Sequence, residues 1–175
     1  MNRIIRFALL SMLTALITLS SHAQNYSTVI KTQAMDMAKA LVKKDYNSFS
    51  KYLHPGLTAY AGGRTKLIQQ MDTANAVAAK FGAEVKRVLI GNPGEVVKYN
   101  KELQATLPQT TEMKTGFGNL TLETTLVAIS QDEGKNWYFV DTSIFNVKDL
   151  KKSMPNLSPA LVIPPAKPPK FTPNQ

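Results

Sequence analysis

The hydrophobic period of this chain changes once, at Gly82. Before it, apolar residues return every three or four positions, as one face of a helix requires. After it, they return every second position, as a strand requires. A chain built this way places its helices first and then a run of strands, the order of an α+β domain rather than of alternating βαβ units.

Ser27 or Thr28 can cap a first helix, on which Ile30, Ala34, Met37 and Leu41 share a stripe that ends near Lys44. Asp45 caps a second, short helix that runs to Leu53, with Phe49 and Leu53 inward. His54-Pro55-Gly56 stops it, because Pro55 restricts the residue before it and Gly56 permits a turn. Residues 57–61, LTAYA, read as a short strand, and Gly62-Gly63 turns the chain. A third helix is expected from Arg64 to Phe81, with Leu67, Met71, Ala74, Ala78 and Phe81 as its apolar stripe. Beyond Gly82, AEVKRVLIG is a strand and GNPG a turn with hairpin chemistry. EVVKYNKELQATL is one long strand, with Val97, Tyr99, Leu103, Ala105 and Leu107 sampling one face. Residues 108–118 stay open between loop and continued strand. NLTLETTLVAIS sets Leu120, Leu122, Leu126 and Ala128 against Thr121, Glu123 and Thr125, and the latter face reads as solvated. A short basic helix is expected over 147–154.

Arg3 and Arg6 precede the apolar run Phe7–Leu19, which is too short for the roughly 20 residues that a membrane span takes. Ser21-His22-Ala23 then supplies small residues for a cut before Gln24, the pattern of a secretory signal peptide over 1–23. The mature chain is expected to be periplasmic or secreted, with no membrane anchor after cleavage. It has no cysteine, hence no disulfide, thiol nucleophile, thiolate metal site or lipidated cysteine at the cut. Its folding must rest on its core. The formal charge of +9 falls to +7 once Arg3 and Arg6 leave with the leader. The basic residues are scattered rather than striped among aromatics, so nucleic acid is not an expected partner. Residues 155–175 hold seven of the ten prolines and are read as a separate tail, disordered rather than docked on a partner or folded back along the domain.

The candidate chemistry centres on NWYFVDTSIF, residues 136–145. Alternation puts Trp137, Phe139 and Asp141 on one face. A carboxylate enclosed by apolar walls has a raised pKa and can serve as a base. Tyr60, Tyr99 and His54 are its candidate companions. Trp137, Phe139, Tyr99 and Asp141 are the candidate pocket lining. Each has a plainer role available: Asp141 binding backbone or a lysine at the strand end, His54 satisfying helix-terminal carbonyls, the aromatics filling the core. With His22 in the leader, His54 is the one histidine left, and no cluster of metal-ligand spacing appears. No metal or cofactor is expected.

Three stretches carry a resemblance. LVKKDYNSFSKYLHPGLTAYAGG opens a second helix on an acidic residue and leads through His54-Pro55 to a strand. GRTKLIQQM begins a long helix, and DEGKNWYFVDTS is a terminal strand with Trp near its start. This order resembles the nuclear transport factor 2-like superfamily, which includes the SnoaL-like and ketosteroid isomerase-like proteins, over about residues 29–145. The resemblance implies a strongly curved antiparallel sheet wrapped around about three N-terminal helices, a cone with a pocket at its open end, occupying 24–154. It also implies that fold alone leaves function open, since the scaffold serves enzymes, binders and dimerisation units. The isomerase chemistry of that group needs a second, protonated acid facing the base, and no residue here matches it. Three expectations follow: a non-catalytic module that binds a small apolar ligand or a protein partner, with a homodimer through its sheet as an option; an isomerase or hydrolase using Asp141 with Tyr60 or His54; and an envelope protein acting through its Pro-rich tail.

Overall fold

The computed structural model describes residues 26–143, 150 and 154–174. The leader, its cut at Ala23–Gln24 and most of the expected helix over 147–154 lie outside these. The molecule is α+β, with a curled antiparallel sheet forming a half-barrel and helices packed against it.

Helix α1 spans 26–42 and buries Ile30, Ala34 and Met37 against the sheet. Lys44 closes it in the left-handed conformation at φ 58°, while the Lys44 and Asp45 N–H groups donate back to Leu41 and Ala40. Asp45 then caps α2 (Tyr46–Phe49) by accepting from the Ser48 N–H at 3.0 Å. That helix ends four residues short of the expected Leu53. Residues 52–54 are extended instead and bond to both backbone groups of Phe139.

The expected strand at 57–61 is a helix, α3 (Pro55–Tyr60). Proline at the first helical position presets φ and lacks the donor that would go unpaired there. His54 Nδ1 accepts from the Gly56 N–H at 3.1 Å, so the residue expected to finish one helix begins the next. Helix α4 (Arg64–Lys80) contacts α2, α3 and β1. Leu67, Met71 and Ala78 of its expected stripe are half-buried, whereas Ala74 and Phe81 are exposed.

The strands are β1 (Glu84–Ile90), β2 (Val97–Tyr99), β3 (Glu102–Lys114), β4 (Gly118–Ser130), β5 (Tyr138–Asp141) and β6 (Lys170–Pro173). β3 and β4 form the long central hairpin; β1 and β2 flank β3, and β5 and β6 flank β4. The expected long strand is broken, because Asn100 at φ 52° turns the chain and pairs Tyr99 with Glu102. GNPG makes no hairpin. It is a bulge joining β1 to β2 along one side of β3. Pro108 explains its place. Gly91 donates to the Pro108 carbonyl at 2.8 Å, so the N–H that proline lacks would also have faced this segment.

Register sorts the sheet into two faces. Ala105, Leu107, Leu126, Ala128, Trp137 and Phe139 form the core with α1 on the helix face. Val127, Ile129 and Val140 form a second core on the opposite face with Leu150, Leu157 and Leu161. The expectation of a disordered tail is therefore overturned. Its leucines complete a sheet face that would otherwise meet water, and the chain ends as β6 on the edge of β4.

Candidate functional site

Asp141 pairs with Leu126 and so lies on the helix face, at the boundary of the buried core. Gln109 Nε2 donates to its Oδ2 at 2.7 Å, and the Ser143 N–H donates to its Oδ1 at 2.8 Å. Gln109, itself buried, also donates to Thr124 Oγ1 at 3.3 Å. This is a satisfied polar group at the end of a strand, the plainer of the two roles open to Asp141.

The proposed companions do not meet it. Tyr60 is 89% exposed on α3. Tyr99 is paired with Glu102 on the tail face, so the sheet separates it from Asp141. The fault in the expectation was register: the turn at Asn100 puts Val97 and Tyr99 on the opposite face from Leu103, Ala105 and Leu107. His54 holds its cap with its ring edge-on to Tyr138. Burial pushes its imidazole below the ordinary value of 6.5, with the Glu102 charge pulling the other way. A neutral Nδ1 is also what the cap requires.

Trp137 and Phe139 are core, not pocket wall. They are 1% and 0% exposed, and the Trp137 indole N–H donates to the Gly134 carbonyl at 3.0 Å. Tyr26 packs edge-on against the indole. Among the described residues every buried side-chain nitrogen and oxygen has a partner. No group of three or more histidine or carboxylate side chains among them could hold a metal. No helix among them is long and apolar enough to cross a membrane.

A polar latch on the tail face went unread in the sequence. Gln104 is fully buried; its Oε1 accepts from the Ser158 N–H and its Nε2 donates to the Asn156 carbonyl, both at 2.8 Å. Glu102 accepts from Gln104 at 2.9 Å and from Gln131 at 2.8 Å. Further along, Lys167 and Lys170 both donate to Glu123 and hold its carboxyl down at about 2. The expectation of a solvated Glu123 fails, because it is the tail's second anchor. Amides and carboxylates in strand alternation give no sign of this, because the tail partners of Gln104 and Glu123 lie more than 40 residues away.

The site that the expectations omitted is a cleft of about 290 Å³ between α1 and the edge strand β1. Met35, Ala38, Val42 and Val88 form its apolar walls. Lys39, Lys43, Lys86 and Arg87 stand at its rim. Lys39 is bound to Asp36, Lys86 to Glu84 and Arg87 to Glu112. The signal was present in α1: Met35 and Val42 are apolar and fall outside the stripe of Ile30, Ala34, Met37 and Leu41.

Comparisons with known proteins return nothing: no family model, no curated protein and no solved structure matches this chain.

Proposed function

We propose that this chain is an exported binding module of the cone-shaped, nuclear transport factor 2-like class, and that it takes a small apolar ligand with an anionic head. The α1–β1 cleft carries this reading. Its volume is near the lower end of small-molecule sites, about 300–1,000 Å³, and it joins apolar walls to a few polar groups, the usual make-up of such sites. Lys39, Lys86 and Arg87 are already held by Asp36, Glu84 and Glu112, so among the described lining residues Lys43 is the cation left to favour a carboxylate or similar head over a neutral one. The isomerase or hydrolase alternative needs Asp141 beside Tyr60, Tyr99 or His54, whereas Tyr60 is in solvent, Tyr99 is on the other face of the sheet and the His54 ring is engaged at the α3 cap and against Tyr138. The tail-mediated alternative needs a free tail, yet Leu157 and Leu161 are already buried on the sheet.

Octanoate and octanol, titrated in parallel with methyl NMR detection, test this. Octanoate should shift the Val42 and Val88 methyls and bind more tightly than octanol. Met35→Glu, at a site that is 41% exposed and so tolerant of substitution, should abolish both. Unmoved Val42 and Val88 signals at millimolar octanoate would sink the reading.

A further inference from the structure

Three phenylalanines on three separate segments meet at one end of the molecule with their rings in solvent. Phe81 caps the end of α4, Phe117 sits in the β3–β4 turn and Phe171 lies in β6. They are 67%, 78% and 53% exposed. The backbone ties them together: the Gly116 N–H donates to the Phe81 carbonyl at 3.1 Å, and the Asn174 N–H donates to the Phe117 carbonyl at 3.0 Å. Gly118, opposite Pro173, lies so close to the Phe171 ring that a Cβ there would come within 2.8 Å of it. Val77, 48% exposed and one turn before Phe81 on the same helix face, extends the patch.

Exposed aromatics gathered in this way mark a surface that meets something else. Lys80 precedes Phe81 at the helix end, and Lys114 flanks the turn that carries Phe117; both are exposed. Lys44, Lys86 and Lys114 surround Glu84, the acidic group in this ring, and Lys86 already holds it at 2.9 Å. Apolar rings at the tip with ammonium groups around them match the layering of an anionic bilayer, where acyl chains lie beneath negative headgroups. A second copy fits poorly, because a two-fold contact would set these lysines against their own kind.

We propose that this end of the molecule docks on anionic lipid surfaces, with Phe81, Phe117 and Phe171 entering the interface and Lys80 and Lys114 meeting the headgroups. The proposal does not rest on the α1–β1 cleft, although Lys86 borders both.

The test places a reporter at the tip of the full chain by Phe117→Trp, a tolerant site by its exposure. Trp137 is buried and gives a constant background. Vesicles of phosphatidylglycerol and phosphatidylcholine should shift the new indole's emission to the blue, and brominated lipid should quench it. Pure phosphatidylcholine should do neither. Lys80→Gln with Lys114→Gln should weaken binding about 25-fold, at roughly fivefold per lysine. Unchanged emission overturns the proposal, even when the chain sediments with the vesicles, because another segment then makes the contact. A blue shift that grows with protein concentration in the absence of lipid also overturns it, in favour of a second copy.

Discussion

Gly134 lies in the turn before β5 with φ 86°, a region that side chains with a Cβ rarely adopt. A Cβ here would stand 2.4 Å from the Tyr26 ring, which itself packs on Trp137. Gly134→Ala should therefore cost about 2 kcal/mol or more, combining backbone strain with a displaced aromatic. Urea unfolding of the variant checks this; an unchanged midpoint would mean that the turn can relax away from α1. His54 makes a second prediction. Its folded-state pKa lies below the ordinary 6.5, so the unfolded chain binds the proton more readily. The His54 contribution is then whole above about pH 6.5 and is lost as the pH falls through the lower, folded-state value. Protonation removes the Nδ1 acceptor and sets a positive charge at the α3 N-terminus. His54→Asn keeps a cap without a titrating group. Its unfolding midpoint should fall less than the wild type's between pH 7.5 and 5, and parallel curves would show that the cap does not titrate.

Several elements owe their limits to partners distant in sequence. The tail is the clearest case. Alone, a proline-rich segment makes few backbone bonds and has little reason to adopt one conformation. Here the buried Leu157 and Leu161 cover Val127, Ile129 and Val140, and Gln104 and Glu123 hold the segment at two points. A chain ending at Met154 should expose that apolar face, bind a hydrophobic dye and lose most of its resistance to urea. Full retention of the wild-type midpoint would show that the tail is an accessory. Leu161→Ala in the full chain should cost about 2 kcal/mol, the low end for a buried leucine, because the site lies near the surface and can partly collapse. In α3, by contrast, the local signals prevail: Pro55 at the first turn and Gly62-Gly63 at the end outweigh the strand-like look of LTAYA.

The molecule as a whole is a sheet covered twice, by α1 on one face and by its own tail on the other. Both coverings leave surface for contact. Lys86 borders both the cleft at the β1 edge and the aromatic end beside the β3–β4 turn, but Met35 belongs to the first and Phe117 to the second, so ligand uptake and surface docking can be tested separately. The tail also bears on the expected dimer. A partner pairing through the tail face would have to displace Leu157 and Leu161 from their core. Excess positive charge, +9 over the full chain, favours anionic partners for both surfaces.

The α+β class, the cap at Asp45, the turn at Gly62-Gly63 and the facing of β4 and β5 were legible in the residues, whereas α3 was not. These follow from local periodicity and local hydrogen bonding, which the neighbouring residues supply. Among the matters that were not legible are the turn at Asn100, which reverses the facing of Tyr99, the docking of the tail, and the convergence of Phe81, Phe117 and Phe171 at one end. The Asn100 turn is local, but a run of alternating residues does not show where it folds back on itself; the other two depend on pairing between residues far apart in the chain, and a period of two or 3.6 carries no information about the partner strand. The α1–β1 cleft lies between the two cases. Met35 and Val42 are apolar and fall outside the core stripe, a signal the expectations did not use, and only the approach of Val88 from β1 makes a cleft of them.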